Sequence, residues 1–324
     1  MGTTIGRAAA ARMLAAQDKI MIITHVSPDG DTLGSGFALY HALSSLGKRV
    51  CVVNSDRITP KYCFLSGAKS VLRPQFEPQF IVAVDVGAVH LIGKELECYA
   101  DRIDMCIDHH PSNARYASYN LIDAHAAATG EIMLDIISAM HVPPTREIAD
   151  ALYTAISTDT ACFRHSSTTA TTLRKAARTV EWGADMANLN NHLFVVKSKQ
   201  LFDLERMAME NIRFYRDSTI AVMPITLDMM NKSGATEDDT DGIASLPRQI
   251  QGVEVGITMR EVKTDEYRIS ARSDGRINVS AICQRLGGGG HVRASGARLC
   301  GTKDEIIERI VNEVLAEYRE VEGE

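Results

Sequence analysis

Short apolar segments followed by histidine or aspartate constrain the fold of this chain more than any other feature of its sequence. Residues 20–23 and 80–84 are wholly apolar, and residues 102–107 form a further strand-like segment. Short apolar runs are typical of parallel strands that are covered on both faces. Because helical patterns alternate with these segments, the sequence predicts a doubly wound α/β domain with a mainly parallel sheet.

The residues that follow these strands are rich in side chains that bind ligands. They are His25, Asp29 and Asp31 after the first strand, Asp85 after the second, and Asp108, His109 and His110 after the third. In open α/β sheets, ligands bind at the edge formed by the carboxyl ends of the strands. Three strands that bring such groups to one edge therefore predict a site there.

The stretch over residues 25–35 has a second interpretation when it is read alone. A helix is predicted over about residues 35–46, and this stretch contains the polar loop before it. Aspartates in such a loop can simply cap the helix. We expect Gly34 and Ser35 to begin that helix close to the site, where backbone N–H groups can face a phosphate. The matching groups after the other strands favour a site over simple capping.

Imidazole and carboxylate ligands suit divalent Mn, Fe, Zn or Mg. Asp159, which follows a helix predicted over residues 146–158, completes a set of six predicted ligands: His25, Asp29, Asp31, Asp85, His109 and Asp159. Two ions that share a carboxylate, here Asp85, can lower the pKa of a water and stabilise both oxygens of a phosphate ester. Because the seven cysteines do not cluster with these residues, Mn²⁺ or Fe²⁺ is favoured over structural zinc.

His110, which is adjacent to a predicted ligand, has two possible roles. Its imidazole can donate to a phosphate or protonate a leaving oxygen, which would make it a catalytic group. It can equally hold a neighbouring aspartate or histidine in place. The sequence favours neither role over the other.

A glycine-rich segment near the carboxyl end of the chain is the second candidate site. Gly287 begins a run of four glycines that ends at Gly290 and is followed by His291, and arginines precede the run. Consecutive glycines let backbone N–H groups approach an anion, although a flexible turn is the commoner explanation. Arg268 and Arg272 have the spacing of residues on one strand face, where their guanidinium groups suit phosphate recognition.

Length and composition set the remaining limits. A chain of 324 residues is long enough for two domains, which we predict over residues 1–190 and 218–324, with a helical linker over 191–217. A net charge of −6 argues against a basic nucleic-acid coat protein, and an odd number of cysteines argues against a disulfide framework. With no signal-like or membrane-spanning apolar run, we expect a cytoplasmic protein without a membrane partner.

The motifs together resemble those of the DHH phosphoesterase superfamily, and within it the NrnA-like oligoribonucleases and 3′-phosphoadenosine-5′-phosphate phosphatases. The resemblance lies in His25-x-x-x-Asp29-x-Asp31, in Asp85, in Asp108-His109-His110 and in Asp159. The segment Gly287-Gly288-Gly289-Gly290-His291-x-x-Ala294-Ser295-Gly296 is similar to the signature of the DHH-associated C-terminal domain. These motifs span almost the whole chain in the order typical of the family.

The resemblance implies an α/β catalytic domain that faces a smaller α/β substrate-binding domain across a cleft. It implies a site for two Mn²⁺ ions, with Mg²⁺, Fe²⁺ or Co²⁺ as alternatives. One ion would be held by His25, Asp29 and Asp85, and the other by Asp31, Asp85, His109 and Asp159. Asp85, His109 and His110 would be the catalytic residues, with His110 beside the scissile phosphate.

The resemblance also implies groups that bind the substrate. They are Arg164, Arg268, Arg272, Gly288, Gly289, Gly290 and His291. The family often has glycine where Ala161 stands, which leaves the shape of that loop open. A homodimer is a further expectation that rests on the resemblance alone.

The expected function is Mn²⁺-dependent hydrolysis of short oligoribonucleotides (nanoRNA or pApA) from an end, of 3′-phosphoadenosine-5′-phosphate to AMP, or of both. A soluble cyclic-di-AMP phosphodiesterase is the nearest alternative. An inactive nucleotide-binding regulator is an alternative of a different class, which the complete set of ligands disfavours. A dinucleotide-binding dehydrogenase is disfavoured because carboxylates, and no G-x-G-x-x-G motif, follow the first strand.

Overall fold

A computed structural model describes residues 2–66, 70–71, 73–240 and 242–323. The chain divides into two compact units, Met1–Val196 and Lys197–Glu324. Each unit is an α/β structure with its own sheet and its own core. The predicted fold class, a mainly parallel α/β domain followed by a smaller α/β domain, is confirmed.

In the part of the first unit that the structure describes, seven parallel strands form one sheet. They are β1 (Thr3–Thr4), β2 (Ile20–Ile23), β3 (Val50–Val53), β4 (Ser70–Val71), β5 (Phe80–Val84), β6 (Met105–Asp108) and β7 (Tyr119–Ile122), in the order β1-β7-β6-β5-β2-β3-β4. The chain runs from β2 towards one edge of the sheet and resumes at β5 on the other side of β2. The strand order therefore reverses between β2 and β5, and the crevice at such a point is where open α/β sheets bind ligands.

The central strands β2 and β5 are apolar along their length because both faces of the sheet are covered there. All residues of β2 and β5 are buried. The described residues of this unit form seven α-helices: α1 (Arg7–Ala16), α2 (Gly30–Ser45), α3 (Cys63–Ser66), α4 (Thr129–Ala139), α5 (Arg146–Asp159), α6 (Ala170–Glu181) and α7 (Met186–Asn190). Helices α1, α2, α4 and α5 cover one face of the sheet. The other face is covered by 3₁₀ helices over Val89–Ile92 and Lys94–Arg102.

Helix α2 begins five residues earlier than the sequence pattern predicts. Asp29 is its N-cap, and one carboxylate oxygen of Asp29 accepts hydrogen bonds from the backbone N–H groups of Asp31 (3.0 Å) and Thr32 (3.1 Å). The expectation that Gly34 and Ser35 begin the helix is wrong, because both are buried in its interior. The free N–H groups at the start of α2 therefore bind a side chain of the protein itself.

Glycines allow α2, α4 and α5 to pack in close contact. A Cβ atom added to Gly34 of α2 would lie 2.4 Å from the backbone oxygen of Ala151, and one added to Gly130 of α4 would lie 2.5 Å from Cβ of Ala155. Both distances are too short for a real Cβ contact. The close packing brings the first turns of α2 and α4 beside the carboxyl end of α5, which carries Asp159.

The second unit is built on a six-stranded mixed sheet. Its strands are β8 (Arg213–Tyr215), β9 (Ile220–Ile225), β10 (Val255–Lys263), β11 (Glu266–Ser273), β12 (Gly289–His291) and β13 (Ala294–Cys300), in the order β12-β13-β11-β10-β9-β8. Its helices are α8 (Lys199–Glu210), α9 (Leu227–Ser233), α10 (Val279–Arg285) and α11 (Lys303–Glu322). A 3₁₀ helix, Ile243–Gln249, lies between α9 and β10. The core packs apolar residues of α10 and α11 against the sheet.

The predicted linker over residues 191–217 falls on both sides of the division between the units. Its helical part, α8, packs Leu204 and Ala208 against Met223 and Ile225 of β9. This helix is therefore part of the second unit. No helix in the described ranges is long and apolar enough to cross a membrane.

Replacement of Gly34 by alanine tests the close packing of α2 on α5. We expect Gly34→Ala to lower the free energy of unfolding by roughly 1–3 kcal/mol, because the new methyl group meets backbone atoms that cannot move aside. Urea unfolding followed by circular dichroism measures the change. Gly36→Ala is the matched control on the same helix, since its nearest contact is a side-chain methyl at 3.3 Å. An equal effect of both substitutions would contradict this account of the packing.

Candidate metal centre

Two imidazole rings point the same type of nitrogen at the carboxyl edge of the sheet. Nδ1 of His25 lies 2.7 Å from the carbonyl oxygen of Val26, and Nδ1 of His109 lies 3.1 Å from that of Ala126. A carbonyl oxygen only accepts, so each Nδ1 carries a hydrogen, which leaves Nε2 as the ring nitrogen available to bind a metal ion. Both Nε2 atoms face carboxylates, as a metal-binding histidine requires.

Asp31 is buried, and both of its carboxylate oxygens are bound at the start of α4. Oδ2 accepts the N–H of Thr129 (2.6 Å), and Oδ1 accepts the N–H of Gly130 (2.9 Å) and the hydroxyl of Ser35 (3.0 Å). The positive end of a helix dipole favours a negative charge at this position. Oδ2 also lies 3.8 Å from Nε2 of His109.

Asp85 lies at the centre of the cluster, directly after β5. Its carboxylate is buried, its backbone is left-handed with φ 60°, and Oδ1 accepts the hydroxyl of Thr129 (2.8 Å). Oδ2 lies 3.7 Å from Nε2 of His25, and Oδ1 lies 3.8 Å from Nε2 of His109. One carboxylate therefore lies between the two rings, as expected for a group that bridges two ions.

Asp159 is the last residue of α5, and its Oδ2 lies 3.5 Å from Nε2 of His109. The chain then makes a left-handed turn, with positive φ at Ala161 (48°), Cys162 (58°) and Phe163 (63°). Ala161 thus adopts a conformation that glycine would enter at lower cost, so the turn forms in this chain without glycine there. Arg164 follows it, exposed, and donates from Nε to the Ala161 carbonyl (2.6 Å).

His110 is held by a buried carboxylate. Its Nδ1 lies 2.7 Å from Oδ1 of Asp108, which also accepts the backbone N–H groups of His109 and His110. The other oxygen of Asp108 accepts Nδ2 of Asn113 at 2.6 Å. The hydrogen bond to Asp108, helped by the charge of Asp85 and opposed by burial, raises the pKa of His110 to about 9. The ring is therefore cationic at neutral pH.

All six predicted ligands come together in this unit. His25, Asp29 and Asp85 form one group whose ligand atoms lie within 4.8 Å of one another, and Asp31, His109 and Asp159 form another. A third group with the same limit combines Asp85, His109 and His110. The cluster borders a pocket of about 360 Å³. His110 and Ser112 line the pocket with Gly87, Ala88 and Leu91.

The carboxylates of the cluster carry more negative charge than the surrounding protein neutralises. Burial and the charges of Asp85, Asp159 and Asp29 raise the pKa of Asp31 well above its usual value. Burial and the charge of Asp29 raise the pKa of Asp85 to about 7. Burial alone would lower the pKa of His25. The hydrogen bond and the charge of Asp29 outweigh burial and raise this pKa to about 9. A site of this composition is suited to divalent cations.

Residues that sequence analysis did not assign complete the centre. Thr129 donates to both Asp31 and Asp85, and Asn113 and Asp108 hold His110. Thr129 is the first residue of α4 and follows a run of alanines, and nothing in this local pattern indicates a contact with α2. Asp108 was read as one more residue at a strand end, whereas its carboxylate binds groups that follow it in the chain.

In the second unit, Arg268 and Arg272 lie on one face of β11, as their spacing predicts. Residues 267, 269, 271 and 273 of this strand are buried, whereas Arg268 is exposed. Arg268 is paired across the sheet with Arg260 on β10 and Arg298 on β13. Arg260 and Arg298 form ion pairs with Glu237 (2.8 Å) and Glu266 (3.3 Å).

The predicted tetraglycine loop is partly a strand, because Gly289–His291 pairs with β13 in a hairpin. A Cβ atom on Gly288 would lie 2.1 Å from the Gly296 oxygen, and one on Gly290 would lie 2.7 Å from that of Ala294. Close packing within the hairpin therefore requires glycine at both positions. Gly289 has open space where a Cβ would lie, and it is the position at which a ligand can approach the backbone.

The sequence and the fold were then compared with those of known proteins. Residues 19–156 match the DHH family, N-terminal domain, and residues 217–320 match the DHHA1 domain. The bifunctional oligoribonuclease and PAP phosphatase NrnA of Thermus thermophilus is 33% identical over 309 residues, which cover 94% of this chain and 91% of that protein. The chain belongs to the DHH phosphoesterase family. The expected enzyme class, a phosphoesterase, is confirmed by this membership.

Solved structures show the same fold. An exopolyphosphatase-related protein from Bacteroides fragilis aligns with a TM-score of 0.89 and 23% identity, over 98% of this chain and 97% of that chain. RecJ of Thermus thermophilus in complex with Mn²⁺ aligns with a TM-score of 0.57 and 14% identity, over 97% of this chain and 55% of RecJ. The fold of this DHH protein is therefore one found in several solved structures.

Replacement of Asp85 by asparagine tests whether the cluster is built around cations. In a chelator at about pH 8, we expect Asp85→Asn to raise the free energy of unfolding by on the order of 1 kcal/mol, because it removes a buried charge from a cluster of carboxylates. Since the pKa of Asp85 is raised by folding, its ionisation costs stability above about pH 7, and that cost disappears as the pH falls below the pKa of the unfolded chain.

With excess Mn²⁺ we expect the wild type to be more stable than Asp85→Asn, because the wild type gains stability from bound ions. Thermal unfolding of both proteins in chelator and in Mn²⁺ measures this. An asparagine variant that is destabilised in chelator, or stabilised by Mn²⁺ as much as the wild type, would contradict the assignment of Asp85.

Proposed function

We propose that this protein is a Mn²⁺-dependent phosphoesterase that hydrolyses short oligoribonucleotides, 3′-phosphoadenosine-5′-phosphate, or both. The observation that carries the proposal is the convergence of His25, Asp29 and Asp85 beside Asp31, His109 and Asp159, around a pocket of the first unit. The substrate class is supported by the relative from Thermus thermophilus, whose name states both activities.

Two divalent ions fit the donor set of this centre. His25, Asp29 and Asp85 would hold one ion, and Asp31, His109 and Asp159 the other, with Asp85 shared between them. Such ions, when bound, supply a lowered pKa to an attacking water and neutralise charge on the phosphate. Oxygen and imidazole donors suit Mn²⁺, the ion bound in the RecJ structure of similar fold.

The protein itself orients the two metal-facing imidazoles and supplies a proton from His110. The carbonyls of Val26 and Ala126 fix the two metal-facing rings, so that each Nε2 is available without rearrangement. His110 borders the pocket as an imidazolium held by Asp108. We infer that His110 donates a hydrogen bond to the scissile phosphate and a proton to the leaving oxygen, as a general acid does.

We also propose that groups of the second unit bind the nucleotide. The candidates are Arg268, Arg272, Gly288, Gly289, Gly290 and His291. The guanidinium of Arg272 donates from Nη1 to the Ala271 carbonyl (3.0 Å), and its five N–H donors suit the oxygens of a phosphate. Arg164 in the first unit is a further candidate, because its exposed side chain follows Asp159.

Replacement of His109 by alanine tests the metal assignment. We expect His109→Ala to lower kcat/KM for a diribonucleotide by at least about 100-fold in Mn²⁺, because even residues that only support a metal ligand cost 10–100-fold when they are replaced. His192→Ala is the control, since that exposed ring binds the Lys61 carbonyl and lies outside the cluster. Retained turnover in a folded His109→Ala protein would contradict the assignment.

A substrate comparison on one preparation tests the substrate class. We expect release of mononucleotides from pApA and from RNA fragments of two to five nucleotides, or of AMP and phosphate from 3′-phosphoadenosine-5′-phosphate. Faster hydrolysis of cyclic-di-AMP than of any of these would identify a cyclic dinucleotide phosphodiesterase and contradict the proposal. Binding of two Mn²⁺ ions without turnover of any of these substrates would identify a regulatory protein.

A further inference from the structure

A buried glutamate lies next to the metal centre, and neither the family motifs nor the proposed mechanism uses it. Glu131 belongs to the first turn of α4 and is only 2% exposed. Its Oε2 lies 3.6 Å from Nζ of Lys175, which also binds the Glu131 carbonyl (3.0 Å) and the carboxylate of Asp135 (2.9 Å). Burial of a carboxylate is costly unless its charge is paired and hydrogen-bonded.

Glu131 binds the peptide group that orients His109. Its Oε1 accepts the N–H of Ala127 at 3.2 Å, and the carbonyl of Ala126 accepts Nδ1–H of His109 at 3.1 Å. The N–H of Ala127 and the C=O of Ala126 belong to the same planar peptide. One peptide therefore connects the glutamate on one side to the imidazole on the other.

The second metal-facing imidazole has the same arrangement. Nδ1–H of His25 donates to the carbonyl of Val26 (2.7 Å), and the N–H of the same peptide, which belongs to Ser27, donates to Oδ2 of Asp56 (2.7 Å). Asp56 lies on a different segment, after β3, and is exposed. Two separate parts of the chain thus repeat one pattern of carboxylate, peptide and imidazole.

We propose that Glu131 and Asp56 are positioning residues for His109 and His25, each acting through the peptide that binds its histidine. This inference rests on the proposed function, because it assigns the two imidazoles as metal ligands. A carboxylate that accepts the N–H of a peptide polarises that peptide and makes its carbonyl a better acceptor. The stronger bond to Nδ1–H fixes the tautomer and the ring plane and increases the basicity of Nε2.

The two carboxylate–peptide–imidazole arrangements differ in their exposure to water. We therefore expect the loss of Glu131 and the loss of Asp56 to weaken metal binding to different extents. Water can replace the exposed carboxylate of Asp56, whereas the N–H of Ala127 is buried and would be left without a partner. The inference therefore assigns the larger effect to Glu131. Each carboxylate also acts on a different ion. Glu131 supports the ion that Asp31, His109 and Asp159 would hold, and Asp56 supports the ion that His25, Asp29 and Asp85 would hold.

Calorimetric titration of metal-free protein with Mn²⁺ tests the inference. For Glu131→Ala we expect one of the two Mn²⁺ ions to bind about 10–100-fold more weakly, with the other unchanged. Glu131→Gln, which keeps an acceptor for the N–H of Ala127, is expected to recover most of this affinity. Asp135→Asn is the matched control, since Asp135 shares Lys175 with Glu131 but makes no bond to the peptide.

A second readout does not depend on bound metal. In metal-free protein with ¹⁵N-labelled histidine, we expect His109 of the wild type to be the Nδ1–H tautomer and Glu131→Ala to contain a mixture of tautomers. If Glu131→Ala does not fold, Asp56→Ala carries the calorimetric test at His25, where it should weaken the other Mn²⁺ ion by a smaller factor.

Wild-type Mn²⁺ affinities in Glu131→Ala, or an equal loss in Asp135→Asn, would overturn the inference. An unchanged His109 tautomer in Glu131→Ala would overturn it as well. These outcomes are distinct from a failure of the proposed function, which would appear as a wild-type protein that binds two ions and hydrolyses no short nucleotide.

Discussion

The burial of two carboxylates at the carboxyl edge of the parallel sheet is the constraint on which the first unit depends. Asp31 and Asp85 are both withdrawn from water, and neither has a lysine or arginine partner among the contacts of the described residues. The start of α4 compensates them in part, because Thr129 and Gly130 donate to Asp31 and the Thr129 hydroxyl donates to Asp85. The raised pKa values of both groups show that this compensation is incomplete. Bound cations would supply the remainder, so the same charges that strain the metal-free protein create its affinity for metal.

Much of the fold and of the site followed from local sequence patterns. Apolar runs such as Ile20–Ile23 and Phe80–Val84 predicted buried parallel strands, and the side chains after them predicted a site at one edge. What could not be predicted depends on tertiary contacts. The sequence pattern predicted a polar loop up to about residue 35, but Asp29 caps the helix and its first residue is Gly30. Glycine is a weak strand former, so Gly289–His291 read as a loop until its pairing with β13 was seen.

The contacts of α4 are the clearest example of tertiary contacts that the sequence does not predict. Thr129 and Asp31 are separated by 98 positions in sequence, and only the close packing of α2, α4 and α5 brings them together. The role of Glu131 is likewise hidden in the sequence, because a glutamate in the first turn of a helix is ordinarily explained by the helix dipole. Its bond to the N–H of Ala127 gives it a further role that no spacing rule predicts. Residues that bind an ion directly were found from the motifs, whereas residues that orient those ligands were found from the structure.

The central claim is that this cluster holds two cations with Asp85 between them. Anomalous diffraction at the manganese edge, from crystals grown with Mn²⁺, tests it most directly. The account predicts two peaks about 3.5–4 Å apart, one beside His25 and Asp29, the other beside Asp31, His109 and Asp159, and both in contact with Asp85. A single peak, or peaks away from Asp85, would contradict it.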